Sequence, residues 1–166
     1  PTVESIDPVR YLTNRSTGKM GYAIAKQAAN RGAEVTLVSG PTNIAPPSNI
    51  KKLIKIESAK DMYNAIIENF DDNQVIIKSA AVADYKPKTY RDKKIKKNDN
   101  DVVIKLDRNK DIAYELGKIK KDKILVGFAA ETNDIIENAK GKIQKKNFDF
   151  IVANDLTEEG AGFGTD

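Results

Sequence analysis

The sequence predicts an α/β fold, a mostly parallel sheet with helices on both faces. Two observations predict it. Strand-like and helix-like segments alternate along the whole chain. The turns that follow the strands hold glycines, small residues and carboxylates. With 166 residues the chain suits one domain with a single sizeable core.

Residues 18–31 carry Met20, Ile24, Ala25 and Ala28 at helical spacing, and Gly32 is a C-terminal glycine stop. Residues 34–39 are a β-branched run closed by Gly40 and Pro41. Residues 51–56 alternate apolar and polar side chains, as a half-buried strand does. Ser58 then stands as an N-cap three residues before Asp61, and a helix runs on to Phe70. Residues 74–82 read as a buried strand. The stretch 84–101, with Pro87 and the run KKIKK at 93–97, matches no regular element, and a loop of that length is functional or disordered. Strands are expected at 102–106, 123–129 and 148–153, with helices at 111–119 and 134–146.

Alternation of this kind gives a Rossmann-like sheet, in which ligands bind beyond the carboxyl ends of the strands. Such a sheet normally has a strand before its first loop and helix, yet the chain opens on Pro1 and Thr2. Its other end, GAGFGTD, is a glycine-rich loop. The expectation is therefore a single domain over residues 1–166, trimmed at both ends.

Composition narrows the chemistry. The chain is 40% hydrophobic and 31% charged, an ordinary globular balance. No apolar run approaches bilayer-crossing length and no signal-peptide pattern opens the chain, so a cytoplasmic protein without a membrane partner is expected. It contains no cysteine and no histidine. That excludes disulfides, thiolate chemistry and the Ser-His-Asp arrangement. Lys, Arg, Asn, Asp and backbone N–H groups remain, a set suited to electrostatic stabilisation of phosphoryl chemistry. The net charge of +4 fits a polyanionic ligand, a nucleic acid or only a solvated surface. Lysines scattered among acids, with no interleaved aromatics, argue against nucleic acid.

Four segments are candidates for the site. Asn14 to Gly21 (NRSTGKMG) precedes a helix. Ser16, Thr17 and Gly18 there form either a phosphate cradle at the helix N-terminus or an ordinary start capped by Ser or Thr. No Gly-Lys pair completes a P-loop, and the strand ending Val38-Ser39-Gly40 lacks the ribose-binding carboxylate of a nicotinamide site. A nicotinamide-dependent reductase of Rossmann type is therefore the weaker alternative. Arg10 is either a phosphate or carboxylate clamp or the ion-pair partner of Asp7, with a turn expected at Asp7-Pro8. Ala80 to Asp84 ends one strand and Phe128, Ala129, Ala130 and Glu131 end another; both have small residues followed by a carboxylate. They read as two walls of one pocket, or as tight packing with a turn cap. Lys94, Lys96 and Lys97 are a solvated charge run or a loop that closes on a triphosphate.

Together, DPVRYLTNRSTGKMG (7–21), AAVADY (80–85), KIKK (94–97), GFAAET (127–132) and FDFIVAND (148–155) resemble phosphopantothenoylcysteine synthetase. This is the bacterial synthetase of coenzyme A biosynthesis usually fused behind a flavin-dependent decarboxylase. The resemblance covers nearly the whole chain, although the family's glycine-rich first strand and everything after GFGTD have no counterpart. It implies a ligase that joins 4′-phosphopantothenate to L-cysteine. The carboxylate attacks the α-phosphate of CTP to give an acyl-cytidylate and pyrophosphate, and the cysteine amine then displaces CMP. Asn14 matches the asparagine that handles the acyl intermediate, Arg10 an arginine nearby, and Lys94 the lysine that stabilises the pentacovalent phosphorus. Ala80, Asp84, Lys94, Phe128 to Glu131 and Lys146 match nucleotide contacts; Ser16 and Gly18 match the phosphate-binding turn. The same resemblance implies Mg2+ on the triphosphate and a homodimer or higher oligomer.

Overall fold

The computed structural model describes residues 1–97, 101–131, 133–155 and 157. The chain opens with a hairpin that the sequence pattern does not reveal. β1 (Val3–Ser5) pairs antiparallel with β2 (Tyr11–Thr13), Val3 opposite Thr13. Each strand has three residues, too few to show a period of two. The expected turn at Asp7-Pro8 does form, because Asp7 Oδ1 accepts the backbone N–H groups of Val9 and Arg10, each at 2.9 Å.

Helix α1 (Lys19–Asn30) and strand β3 (Thr36–Ser39) follow where helical spacing and β-branching predict them. β3 runs parallel to β4 (Lys52–Lys55), Leu37 opposite Leu53. Helix α2 (Ala59–Glu68) starts on the predicted cap. Asp61 N–H donates to Ser58 Oγ at 3.1 Å, and Asp61 Oδ2 accepts from Ser58 N–H at 3.0 Å, a reciprocal capping box.

β5 (Val75–Lys78) stops short of Val82, where the sequence extends it. The physical reason is a change of partner. Beyond Lys78 the backbone bonds to Thr2 instead of a neighbouring strand: Thr2 N–H donates to Ala81 O at 3.1 Å, and Ala83 N–H donates to Thr2 Oγ1 at 3.0 Å. The expected strand at 102–106 is also displaced. β6 (Tyr85–Pro87), inside the stretch expected to be irregular, pairs antiparallel with β7 (Leu106–Arg108), Pro87 opposite Leu106. Val103 lies outside that ladder and is 77% exposed.

Helix α3 (Ile112–Ile119), strand β8 (Ile124–Glu131), helix α4 (Ile135–Lys146) and strand β9 (Phe150–Asp155) complete the described elements. β5, β8 and β9 form a parallel ladder, with Lys78 opposite Gly127 and Phe128 opposite Val152. Parallel strands joined through helices are the predicted α/β class. Among the described residues no strand joins the β3–β4 ladder to β5–β8–β9, and a cleft lies between them.

The core sits under α2, α3 and β8. Met62, Phe70, Ile112, Ala113, Leu116, Leu125 and Phe148 form one buried cluster, with Leu116 and Leu125 fully enclosed. Helices α3 and α4 touch at Gly117, where an added Cβ would stand 2.1 Å from the Lys146 carbonyl oxygen. Only glycine permits that approach, and Asn147 Nδ2 reinforces it by donating to Gly117 O at 2.8 Å. Asp149 ties β8 to the end of α3: its Oδ2 accepts Leu125 N–H and its Oδ1 accepts the nearly buried Lys120 ammonium, both at 2.7 Å. Truncating Leu116 to Ala should cost about 2–5 kcal/mol, the range for a large core side chain replaced by a cavity. Urea unfolding should show this as a lower midpoint with an unchanged slope.

Candidate functional site

The cleft between the two ladders has a volume of about 2220 Å³ and gathers most of the predicted residues. Asn14, Ser16 and Gly18 line it from the turn before α1. Ala80 and Asp84 line it from the segment after β5, and Phe128 and Ala129 from β8. Lys146 enters from the last turn of α4. β5 and β8 are adjacent and parallel as far as Lys78 and Gly127, and residues of both following segments line the cleft. Ala130 and Glu131 continue β8 opposite Asn154 and Asp155, with side chains outside the described residues. The GAGFGTD segment also lies outside them. Arg10 and Lys94 are elsewhere, in a second hollow of about 690 Å³ shared with Lys96 and Lys97.

At the first turn, the N-cap of α1 is Gly18 with φ +88°, and no side chain caps the helix. That decides against a start capped by Ser or Thr. Thr17 Oγ1 approaches Lys19 N only to 3.4 Å, long for a hydrogen bond. The turn is braced from behind, where Thr42 Oγ1 donates to Thr17 O at 2.8 Å. Left-handed backbone at Gly18 costs glycine little and would strain any other residue. The start of α1, the positive end of the helix dipole, lines the cleft.

Two residues that sequence reasoning passed over hold the 80–84 segment in place. Thr2, fully buried, bonds to its backbone as described above. Asn109 bridges from the other side: its N–H donates to Asp84 O at 2.8 Å and its Nδ2 to Ala83 O at 2.9 Å. Neither carried a signal beyond being polar beside a turn. Lys78 and Asp111, also overlooked, sit with Lys146 along the cleft. Asp111 caps α3 by accepting Tyr114 N–H at 3.1 Å and pairs with Lys146 Nζ at 3.1 Å. Burial raises the Asp111 carboxyl, but the Tyr114 N–H and the Lys146 ammonium outweigh it and hold the group below the usual carboxylate range. Burial pushes the Lys78 ammonium down to about 8, and Lys146 adds to the effect against Asp111 and Asp84. The alternation of burial that turns Lys78 inward is visible only in the structure.

The second hollow is organised by Asp7, whose side chain is 0% exposed. Its Oδ2 accepts Arg10 Nη2 at 2.6 Å, Arg10 Nε at 3.1 Å and the Ile95 N–H at 3.1 Å. Arg10 Nη2 also donates to Ile95 O at 3.0 Å. Of the two readings of Arg10, the pair with Asp7 is the one formed. The guanidinium nevertheless keeps a free face, since the side chain is 46% exposed. Lys94 immediately precedes the clamped Ile95, so the lysine segment is anchored at one point.

The Arg10 guanidinium holds the Asp7 carboxyl far below its ordinary value; burial opposes it, and the Ile95, Val9 and Arg10 N–H groups add smaller effects in the same downward direction. A carboxylate depressed in the folded state stabilises the fold above its ordinary pKa, near 4. That contribution is lost as pH falls through the folded value. Asp7→Asn should therefore lower the melting temperature at about pH 6, and the gap to the unaltered protein should narrow steadily below about pH 4. Thermal melts across that range check it.

Comparison with known proteins agrees with this architecture. The family described as "DNA/pantothenate metabolism flavoprotein C-terminal domain" matches residues 1–166. The chain is 52% identical over 166 residues to the coenzyme A biosynthesis bifunctional protein CoaBC of Bacillus subtilis (strain 168), covering 100% of this chain and 41% of that protein. It is 51% identical over 165 residues to a cysteine/cysteine sulfinic acid decarboxylase of an unknown prokaryotic organism, covering 99% of this chain and 46% of that protein. The chain thus spans less than half the length of either relative. The crystal structure of the C-terminal domain of CoaBC superposes with a TM-score of 0.83 at 50% identity, over 93% of this chain and 73% of that one. The chain belongs to the DNA/pantothenate metabolism flavoprotein C-terminal domain family, the family of the CoaBC C-terminal domain.

Proposed function

We propose that residues 1–166 form one nucleotide- and phosphopantothenate-binding domain that joins 4′-phosphopantothenate to L-cysteine using CTP. The observation that carries this reading is a single cleft. An uncapped helix start, two small-residue strand ends and the Lys146 cation meet there, in a chain 50% identical to the CoaBC C-terminal domain. The nicotinamide-dependent reductase finds no support in these relatives.

In the proposed reaction a carboxylate oxygen of phosphopantothenate bonds to the α-phosphorus of CTP, and the bond to pyrophosphate breaks. The cysteine amine then bonds to the acyl carbon, CMP leaves with the former carboxylate oxygen, and the amine proton passes to solvent. Charge gathers on the α-phosphate oxygens in the first step, and the Lys94 ammonium is the counter-charge assigned to it. Asn14 holds the acyl intermediate by hydrogen bonding, and Arg10 offers its free face to a carboxylate or phosphate. Ser16 and Gly18 receive a phosphate at the helix start. Ala80 and Asp84, with Phe128 to Glu131 and Lys146, hold the nucleotide. Mg2+ would be held by phosphate oxygens and water, and would supply charge neutralisation of the triphosphate.

By the same reading the domain is cytoplasmic, works as a homodimer or higher oligomer, and is fused to a flavin-dependent decarboxylase. No described helix is long and apolar enough to cross a membrane.

The test uses phosphopantothenate labelled with oxygen-18 in its carboxylate, together with cysteine, magnesium and either CTP or ATP. The full natural chain should form the amide with CTP and place the label in CMP; amide formation without labelled CMP would sink the acyl-cytidylate route. In parallel, CTP at about 100 times its dissociation constant should stabilise the fold by ~2.7 kcal/mol. Lys94→Ala should keep that stabilisation while losing turnover, and loss of both would assign Lys94 to ground-state binding.

A further inference from the structure

Lys78 is among the ionisable residues lining the cleft to which the ligase reading gives no task. Lys78 is the last residue of β5 and shares its face with Ile76, which packs on the core cluster. It lines the cleft. Within the described residues no hydrogen bond or ion pair ends on its ammonium, and no buried side-chain nitrogen lacks a partner, so its Nζ is open to the cleft. The charged groups around it come from three elements. Lys146 of α4 repels it, while Asp111 at the start of α3 and Asp84 after β5 attract it. Asp111 is already committed to Lys146 and to Tyr114 N–H. Two ammonium groups therefore share a carboxylate that satisfies only one of them. A half-buried cation kept in that state fits an arriving anion.

We propose that Lys78 is a further phosphate-binding residue, which takes its counter-charge from a phosphoryl group of the bound nucleotide rather than from the protein. The inference rests on the ligase reading, because that reaction supplies the nucleoside triphosphate. Its consequence is proton linkage. In the free protein Lys78 releases its proton near pH 8. A phosphoryl oxygen beside it favours the charged form, so nucleotide binding takes up a proton. Affinity is then full below about pH 7 and falls as pH rises past the free value, by about tenfold per unit.

Calorimetric titration of magnesium–CTP into the full natural chain, at about pH 7, 8 and 9, tests this. Each titration is run in two buffers of different ionisation enthalpy, with Lys78→Met and Lys78→Arg alongside. The unaltered protein should bind about tenfold more weakly at pH 9 than at pH 7 and take up a fraction of a proton at pH 8. Lys78→Met should bind more weakly at pH 7, with a flatter profile and no uptake. Lys78→Arg, which stays charged, should hold its affinity at pH 9. Lys78→Met matching the unaltered protein in affinity, profile and uptake would overturn the proposal. Should Lys78→Met not fold, the absence of proton uptake by the unaltered protein at pH 8 overturns it alone. If the unaltered protein binds no nucleotide at any pH, the ligase reading itself fails, an outcome distinct from binding that ignores Lys78.

Discussion

A carboxylate with no exposed surface remains ionised only where donors replace the water it has lost, and Asp7 meets that condition where the turn between β1 and β2 touches the lysine segment. Its own turn supplies the N–H groups of Val9 and Arg10, the Arg10 side chain supplies a forked guanidinium, and Ile95 supplies an N–H from far along the chain. The local bonds shape the turn between β1 and β2, and the distant bond anchors the lysine segment. Arg10 is oriented by the same contact, since its Nη2 reaches both Asp7 and the Ile95 carbonyl. Fold and chemistry thus meet at a group with no direct part in either proposed chemical step.

The cleft obeys a related economy of position. Its walls are strand ends and a helix start, held by polar side chains that serve backbone groups. Thr2 and Asn109 take over the hydrogen bonding of residues 81–84 where β5 gives out. That lets the chain leave the ladder and present Ala80 and Asp84 to the cavity. On the far side, the glycine contact packs the end of α4 against the last turn of α3, and the Lys146 side chain reaches from there to Asp111 at the start of α3. Without histidine or cysteine, the chemistry available at these positions is that of fixed dipoles, amides and ammonium groups.

What the sequence could reveal followed the length and regularity of each segment. Helices α1 to α4 and strands β3, β4, β8 and β9 stand close to their expected places, because apolar spacing and caps such as Ser58 and Asp111 act locally. β1, β2 and β6 are three-residue strands whose partners alone define them, so no local pattern announces them. The strand expected at 102–106 lies at Leu106–Arg108 because its register is set by β6, not by its own alternation. Asn14, Gly18, Asp84, Phe128 and Lys146 line one cleft; the strand-end pattern points to Asp84 and Phe128, the helix-start motif to Gly18, and the family resemblance alone to Lys146. The choice between a capped helix start and an uncapped one at Gly18, and between clamp and ion pair at Arg10, required coordinates. Lys78 was hidden for a different reason. A lysine in a strand reads as solvent-facing until the neighbouring helices show that it is not.

Hydrogen exchange of the full natural chain, with Asp7 intact and as Asp7→Asn, tests most directly whether this one carboxylate holds the lysine segment in place. The Ile95 amide is bonded to Asp7 and should exchange slowly in the unaltered protein. In Asp7→Asn, exchange should rise at residues 93–97 and in the turn at 8–10, with α2, α3 and β8 unchanged. Equal protection of residues 93–97 in both proteins would contradict the account, and the lysine segment would then owe its position to something other than Asp7.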